Sequence, residues 1–256
     1  MVATSGPYRI VALHGFLGGP DDWLPLRLRL PGVWWSPLDL WAIVGRAEVR
    51  DWSTLGGALE AEIASAAAAE PRLPAVVLAY SFGARMMLAS PGAASRVAGT
   101  CLVSCNPGLK AEDGGAREAR RVSDETWAQR LLDWEPAALF QAWNRQPSLA
   151  SSVPIPTGSN FPAARVTLAR AMRSFSLAGQ PDWHGRLRAW PGPVLVVAGE
   201  RDGRYAAIAS GFEGAGGHLD VRVVSGAGHR VPWDAPDQFV ETLAAWAEGL
   251  ISRSRA

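Results

Sequence analysis

Leu78-Ala79-Tyr80-Ser81-Phe82-Gly83-Ala84-Arg85 is the stretch on which the fold turns. An apolar run, Pro74–Tyr80 (PAVVLAY), leads straight into a serine, and Phe82–Ser90 then reads as a helix. Small residues, Ala79 and Gly83, stand two before and two after the serine. This is the G-x-S-x-G elbow pattern with alanine in the first glycine position. A strand that turns at once into a helix brings two backbones close together, so the flanking side chains must be small. A serine in an ordinary strand–helix turn would satisfy the same pattern, and the rest of the chain has to decide between them.

Working outward, short apolar runs bounded by Gly and Pro recur. Arg9–Leu13, Val33–Leu38, Val97–Ser104, Pro193–Gly199 and Asp220–Val224 read as strands. Ser53–Ala69 reads as a helix with Ser53 as its N-cap and Leu55, Leu59 and Ile63 on one face. Asp234–Leu250 reads as an amphipathic helix. Strands alternating with helices imply a mostly parallel sheet covered on both faces. The alternation stops between Asn106 and Trp190, where helical stretches rich in Arg and Trp are interrupted by Pro, as at Val153–Pro156. The expected organisation is a core of residues 1–105 and 191–256 with a helical cap, residues 106–190, inserted in it.

Two further signals follow the serine in the order this kind of site requires. Gly199-Glu200-Arg201-Asp202 comes directly after one strand, and Ala227-Gly228-His229 directly after the next. Loops at the carboxyl ends of parallel strands build sites. His229 is expected to take the Ser81 proton and Asp202 to orient the imidazole. Glu200 is the competing acid; Asp202 is preferred because it lies deeper in the loop. Leu13-His14-Gly15-Phe16-Leu17-Gly18-Gly19 follows the first strand. Such a loop supplies one backbone N–H of an oxyanion hole, and the residue after the serine supplies the other. These are Phe16 and Phe82, with His14 holding the loop. Serine, acid and histidine in this chain order imply an α/β-hydrolase fold, a mostly parallel sheet flanked by helices with the helical cap inserted.

Bulk properties narrow the partners. The chain has 256 residues, 48% of them apolar and 19% charged, with a net charge of +1. That is a globular composition, and nothing in it favours nucleic acid or an anionic membrane. No apolar run reaches membrane-spanning length. Met1 to Ile10 shows no charged stretch followed by an apolar one, so no export signal is expected. Cys101 and Cys105 sit about 13 Å apart if both are in one strand, too far for a disulfide. They read as buried small hydrophobes in a reducing, cytoplasmic setting. No nucleotide, flavin or metal motif is visible, so no cofactor is expected.

Arg85 lies one helical turn beyond Ser81, where its guanidinium suits a substrate carboxylate or, equally, a surface acid. At this point the sequence resembles the 2-succinyl-6-hydroxy-2,4-cyclohexadiene-1-carboxylate synthases of menaquinone biosynthesis. The matching stretches are LHGFLG (Leu13–Gly18), YSFGAR (Tyr80–Arg85), NPGL (Asn106–Leu109), REARRVSDETWAQRLL (Arg117–Leu132), FQAWNRQP (Phe140–Pro147), LAGQPDW (Leu177–Trp183), GERDGRY (Gly199–Tyr205) and AGH (Ala227–His229). The pieces between Asn106 and Pro147 are the most specific. The resemblance implies a lyase that eliminates pyruvate from a 5-enolpyruvyl-cyclohexene carboxylate. Ser81 would act as a base, with the oxyanion hole holding enolate-like charge. It also implies that Arg85, Arg120 and Trp143 bind substrate, with Tyr80 beside the serine. Arg121 rivals Arg120, and the spacing to Asp124 and Trp127 favours Arg120.

The sequence also departs from that family. Asp39-Leu40-Trp41-Ala42-Ile43-Val44 replaces a D-L-P-G-H-G loop. A further family arginine has no clean counterpart: Asn160 falls near its place, with Arg165 or Arg170 as substitutes. Two other functions remain open at this level. One is a carboxylester or thioester hydrolase with Ser81 as nucleophile, the other a non-catalytic binding protein. The partner expected in each case is a small molecule, with a carboxylate-bearing substrate for the lyase.

Overall fold

A computed structural model of the chain describes residues 8–110, 114–154 and 161–255; residues 1–7, 155–156 and Asn160, singled out from the sequence, lie outside these. Among the described residues the sheet has strands β1 (Arg9–Leu13), β2 (Trp34–Leu38), β3 (Ala75–Tyr80), β4 (Gly99–Val103), β5 (Val194–Gly199) and β6 (Leu219–Val224). They lie in the order β2-β1-β3-β4-β5-β6, and every neighbouring pair is parallel. Strands β1, β3, β4 and β5 are buried throughout. That explains their sequence, apolar but for Arg9 and Thr100, since both faces of a parallel sheet are covered. Side chains alternate between the faces. Val11, Leu13, Val77 and Ala79 join the core on one side, and Ile10, Ala12, Val76 and Leu78 the core on the other.

The first side is covered by α2 (Leu40–Val44), α3 (Trp52–Ala68), α4 (Phe82–Leu88) and α9 (Gly203–Ser210). The second is covered by α1 (Leu24–Arg29), α10 (Val231–Asp234) and α11 (Pro236–Arg255). Two helix starts differ from the sequence reading. The N-cap of α3 is Asp51, not Ser53: its carboxylate accepts the Thr54 N–H at 2.8 Å, and its own N–H donates to Thr54 Oγ1 at 3.1 Å. This reciprocal box outcompetes a lone serine hydroxyl two residues further in. The last helix begins at Pro236, not Asp234, because Ala235 precedes a proline and leaves the helical region.

Between β4 and β5 run α5 (Gly114–Asp133), α6 (Pro136–Asn144), α7 (Phe161–Ser174) and α8 (His184–Arg188). Helices α5 and α7 pack together over a separate apolar cluster of Trp127, Leu131, Leu139, Leu168 and Met172. Leu17, from the loop after β1, joins that cluster. The segment therefore rests on the loop that carries Phe16. Cys101 and Cys105 are free and buried, as expected of small hydrophobes, and burial pushes the Cys105 thiol up to about 12.

The strand order reverses at β1, which has β2 on one side and β3 on the other. Such a switch point opens a crevice at the carboxyl ends of the strands. Leu13 pairs with Ala79 across β1 and β3, so the His14 loop and Ser81 leave the sheet side by side. Gly83 makes this possible. A Cβ on it would lie 2.7 Å from the carbonyl oxygens of both Leu13 and His14. The Ala79 methyl, by contrast, is accommodated in the core on one face of the sheet, which is why alanine serves in the first small position. His14 is fully buried and pins the loop. Its Nε2 accepts the Leu40 N–H at 3.1 Å and its Nδ1 lies 2.9 Å from the Gly15 carbonyl oxygen, which fixes the neutral Nδ1–H form.

Gly83→Ala is expected to cost about 1–3 kcal/mol, because neither carbonyl can retreat without moving a strand end. A urea midpoint equal to that of the wild type would show the contact to be soft. A second expectation concerns acid. Burial lowers the His14 pKa from 6.5 to about 4. The unfolded chain takes up this proton near pH 6.5 and the folded chain only near 4. The stabilisation from the neutral ring is thus complete above that window and lost as pH falls through it. Asp22, raised to about 6 by burial, runs in the opposite sense. The comparison is therefore wild type against His14→Gln. Between pH 7 and 4.5 the wild type should lose on the order of 2 kcal/mol more unfolding free energy than the variant. Parallel pH curves for the two proteins would refute this.

Candidate active site

Ser81 stands at the turn from β3 to α4 with φ 52° and ψ −106°, a left-handed geometry that non-glycine residues avoid. Its N–H is bonded to the Val103 carbonyl oxygen at 2.8 Å, which anchors the turn. Its Oγ lies 3.1 Å from His229 Nε2, and His229 Nδ1 lies 2.7 Å from Asp202 Oδ2. The ionised carboxylate only accepts, so the ring carries its proton on Nδ1 and presents Nε2 as the acceptor for the serine hydroxyl. His229 and Asp202 are both buried.

Two loops bring the histidine and the acid together. Arg201 N–H donates to the Ala227 carbonyl at 2.8 Å, and Glu200 N–H to that of Val224 at 3.0 Å. Gly199 permits this approach, since a Cβ there would run into the Gly228 and Ala227 carbonyls. Asp202 caps α9, with its Oδ1 towards the Tyr205 N–H at 3.4 Å. Glu200, the rival acid, accepts from Ser225 Oγ and the Gly226 N–H instead, which holds its carboxyl below the usual range. Two supports were not read from the sequence. Ser104, itself at φ 48°, donates its hydroxyl to the His229 carbonyl at 2.7 Å. The Tyr205 ring meets the imidazole edge-on at 4.4 Å.

Phe16, Tyr80, Ser81, Phe82, Arg85, Arg120, Trp143 and His229 line one cavity, and Asp202 stands behind His229. Phe82 opens α4, so its N–H belongs to the first-turn amides that lack a carbonyl partner one turn back. Phe16 follows Gly15, where a Cβ would strike the Tyr80 ring at 2.6 Å. Tyr80 is buried, with its ring 5.0 Å from Trp233 and 5.7 Å from His229, and burial pushes its phenol up. The Asp39–Val44 departure has a structural role. Asp39 caps α2 through the Trp41 and Ala42 N–H groups. Trp41 donates Nε1–H to the Gly18 carbonyl at 2.7 Å and stacks on Phe82 at 5.7 Å. It thus braces both residues of the expected oxyanion hole.

The cavity gathers cations. Arg85 is buried and bonded only to neutral acceptors, Gln180 Oε1 at 2.6 Å and the Phe175 carbonyl at 2.7 Å, with Trp52 stacked 5.0 Å away. Burial and then repulsion from Arg120 lower its pKa to about 10. Among the described residues no acid pairs with Arg85. Arg120 gives its Nε to both oxygens of Asp124 at 2.8 Å, and Asp124 is buried and also accepts from Ser176 Oγ. Arg121 turns outward to Glu118. Trp143 stacks on Phe16 at 5.5 Å and meets Trp127 edge-on at 4.9 Å. Arg165 donates to the Leu131 and Trp134 carbonyls and Arg170 to that of Val44; neither lines the cavity. Arg230, not noticed in the sequence, does. Its place directly after His229 was the available signal, because a neighbour of that histidine must leave the same strand end.

A family model described as "Alpha/beta hydrolase family" matches residues 10–242. Among curated proteins, the 2-succinyl-6-hydroxy-2,4-cyclohexadiene-1-carboxylate synthase of Klebsiella pneumoniae is 32% identical over 250 residues, 94% of each chain. The protein of that name from Salmonella typhimurium is 29% identical over 252 residues, 95% of each chain. Among solved structures, MenH from S. aureus superposes with a TM-score of 0.77 at 19% identity, covering 96% of this chain and 95% of that one. An esterase, RhEst1 from Rhodococcus, reaches 0.65 at 19% identity, covering 96% and 92%. The likenesses to solved structures speak for the fold alone. By the family model and by identity along nearly its whole length, the chain belongs to the α/β-hydrolase family and, within it, to the 2-succinyl-6-hydroxy-2,4-cyclohexadiene-1-carboxylate synthases.

Proposed function

We propose that this protein is a carbon–oxygen lyase of menaquinone biosynthesis. It eliminates pyruvate from a 5-enolpyruvyl-cyclohexene carboxylate to give 2-succinyl-6-hydroxy-2,4-cyclohexadiene-1-carboxylate. The observation that carries the chemistry is buried Arg85, which lines the same cavity as Ser81 and whose guanidinium, among the described residues, has only neutral acceptors. A buried cation without a counter-ion is costly, and a substrate carboxylate supplies one. The relatives' product carries a ring carboxylate and a succinyl carboxylate, and the enolpyruvyl group adds a third.

In the proposed reaction Arg85 and Arg120 hold carboxylates, and Trp143 and Tyr80 flank the ring. Ser81, its proton drawn to His229, takes a ring proton; Asp202 steadies the imidazolium that forms. The C–H electron pair becomes a ring double bond, and the C–O bond to the enolpyruvyl group breaks. The departing enolate takes the proton back and leaves as pyruvate. The Phe16 and Phe82 N–H groups face the negative charge that builds on the substrate. No covalent intermediate is needed. The helices between β4 and β5 serve as a cap that shuts water from this chemistry. Among the described residues no helix is long and apolar enough to cross a membrane, consistent with a small-molecule substrate met in water.

The enzyme should release pyruvate from the enolpyruvyl-cyclohexene substrate, followed by coupled reduction, far faster than it cleaves short p-nitrophenyl esters. Fast ester turnover without pyruvate would make Ser81 a nucleophile and sink the lyase. Ser81→Ala is expected to lower pyruvate release by about 10²- to 10⁴-fold. Arg85→Ala should cost about 10- to 100-fold on this tricarboxylate and little on a neutral ester. Equal losses on both substrates would make Arg85 a purely structural residue.

A further inference from the structure

Arg230 follows His229, is buried, and lines the cavity that holds Ser81, as does Asn144, to which its guanidinium is bonded. Among the described residues its side chain is bonded to two neutral oxygens: Nη1 to the Val153 carbonyl at 2.9 Å and Nη2 to Asn144 Oδ1 at 2.5 Å. Guanidinium has five N–H donors, so these bonds leave most of its capacity for another group. Among the described residues no carboxylate lies within 4.0 Å of it. The two nearby acids are engaged elsewhere. Asp234 accepts from Ser152 Oγ, the Val153 N–H and the Gly228 N–H. Asp22 accepts from the Gly19 N–H; it feels Arg230 electrostatically but does not pair with it. Arg230 is also distinct from the Arg85–Arg120 pair, which is held by Gln180, Phe175 and Asp124.

We infer that Arg230 is a third carboxylate-binding residue of the cavity, which receives one carboxylate of a polycarboxylate substrate beside Ser81 and His229. The inference rests on the proposed reaction for the identity of that substrate, whose three carboxylates then meet three guanidinium groups. The site itself rests on burial, charge and the missing counter-ion. Arg230 is built for this contact rather than for a surface ion pair. Asn144 and the Val153 carbonyl fix the plane of the fork, and neither neutralises it. A planar fork held in this way accepts a carboxylate through two parallel bonds. The competing account makes Arg230 only a tie between the His229 loop and residues 144–153.

Binding of tricarballylate, a plain tricarboxylate, and of its neutral triamide can be followed by tryptophan fluorescence. Arg230→Gln is expected to weaken tricarballylate about 10- to 100-fold and leave the triamide unchanged. With the enolpyruvyl substrate, KM should rise by a similar factor while kcat stays within about threefold, the pattern of lost uniform binding. Arg230→Lys should retain part of the affinity, and that part should fall as salt is added. This variant carries the test should the glutamine one fail to fold. Unchanged tricarballylate binding and KM in Arg230→Gln, or equal losses for acid and amide, would overturn the inference. So would a lysine variant whose binding ignores salt. A wild type that binds tricarballylate through Arg230 but releases no pyruvate would overturn the proposed reaction and leave this site standing. Pyruvate release indifferent to Arg230→Gln would do the reverse.

Discussion

The contact on which the rest depends is the one Gly83 makes with the backbone of Leu13 and His14. Only a residue without a side chain lets the first turn of α4 close on the end of β1. That closure puts Ser81 in its left-handed geometry, a conformation that costs on the order of 1–3 kcal/mol. Buried structure on both sides and the bond from Ser81 N–H to Val103 hold it there. The same closure carries the β1 loop to the serine. His14 then ties that loop to Leu40, and Trp41 returns a bond to Gly18. A single backbone approach thus fixes the serine, the loop bearing Phe16, and the helix that braces both.

The second constraint is electrostatic. Arg85 and Arg230 are buried and bonded to neutral oxygens, and Arg120 gives only its Nε to Asp124. Neutral acceptors orient a guanidinium without discharging it, so the attraction for an anion is kept for whatever enters. In a desolvated cavity that attraction is stronger than in water. The depressed Arg85 pKa records the same fact from the other side: the group is held charged where charge is unwelcome. Binding energy of this kind, spent far from the reacting bond, can position the ring against a catalytic oxygen.

What was legible in the sequence follows from how local each signal is. The buried strands announce themselves because both faces are covered, so β1, β3, β4 and β5 are apolar apart from Arg9 and Thr100. Loop depth alone separates Asp202 from Glu200 in the sequence; in the structure Asp202 lies 2.7 Å from His229, and Glu200 is bonded to Ser225 and Gly226. The α3 cap was misplaced because Asp51 and Ser53 are both capping residues, and only the reciprocal bond with Thr54 separates them. Beyond its place next to His229, nothing local marks Arg230. Its partners, Asn144 and Val153, are distant in the chain and meet it only after the segment between β4 and β5 folds over the core. Trp41 was read as a mere departure, since nothing local indicates that its indole would reach Gly18.

That departure bears on chemistry. A Ser–His–Asp line serves a nucleophile and a base equally well, so the difference between hydrolysis and elimination has to lie in what the serine faces. A hydrolase must bring a carbonyl carbon to Oγ, whereas the proposed lyase must bring a ring C–H. Around Ser81 the lining offers aromatic faces, Phe16 on Trp143 and Phe82 on Trp41, together with guanidinium groups. Flat apolar walls suit a six-membered ring, and fixed cations suit its carboxylates. Trp41 makes one of these walls rigid by its bond to Gly18, so the helix in place of the family's loop supports Phe16 and Phe82, the proposed oxyanion-hole residues, by packing. Held at its carboxylates and pressed between such walls, a ring has little freedom to turn. The proton nearest Oγ is then decided by the spacing of the cations, not by the serine.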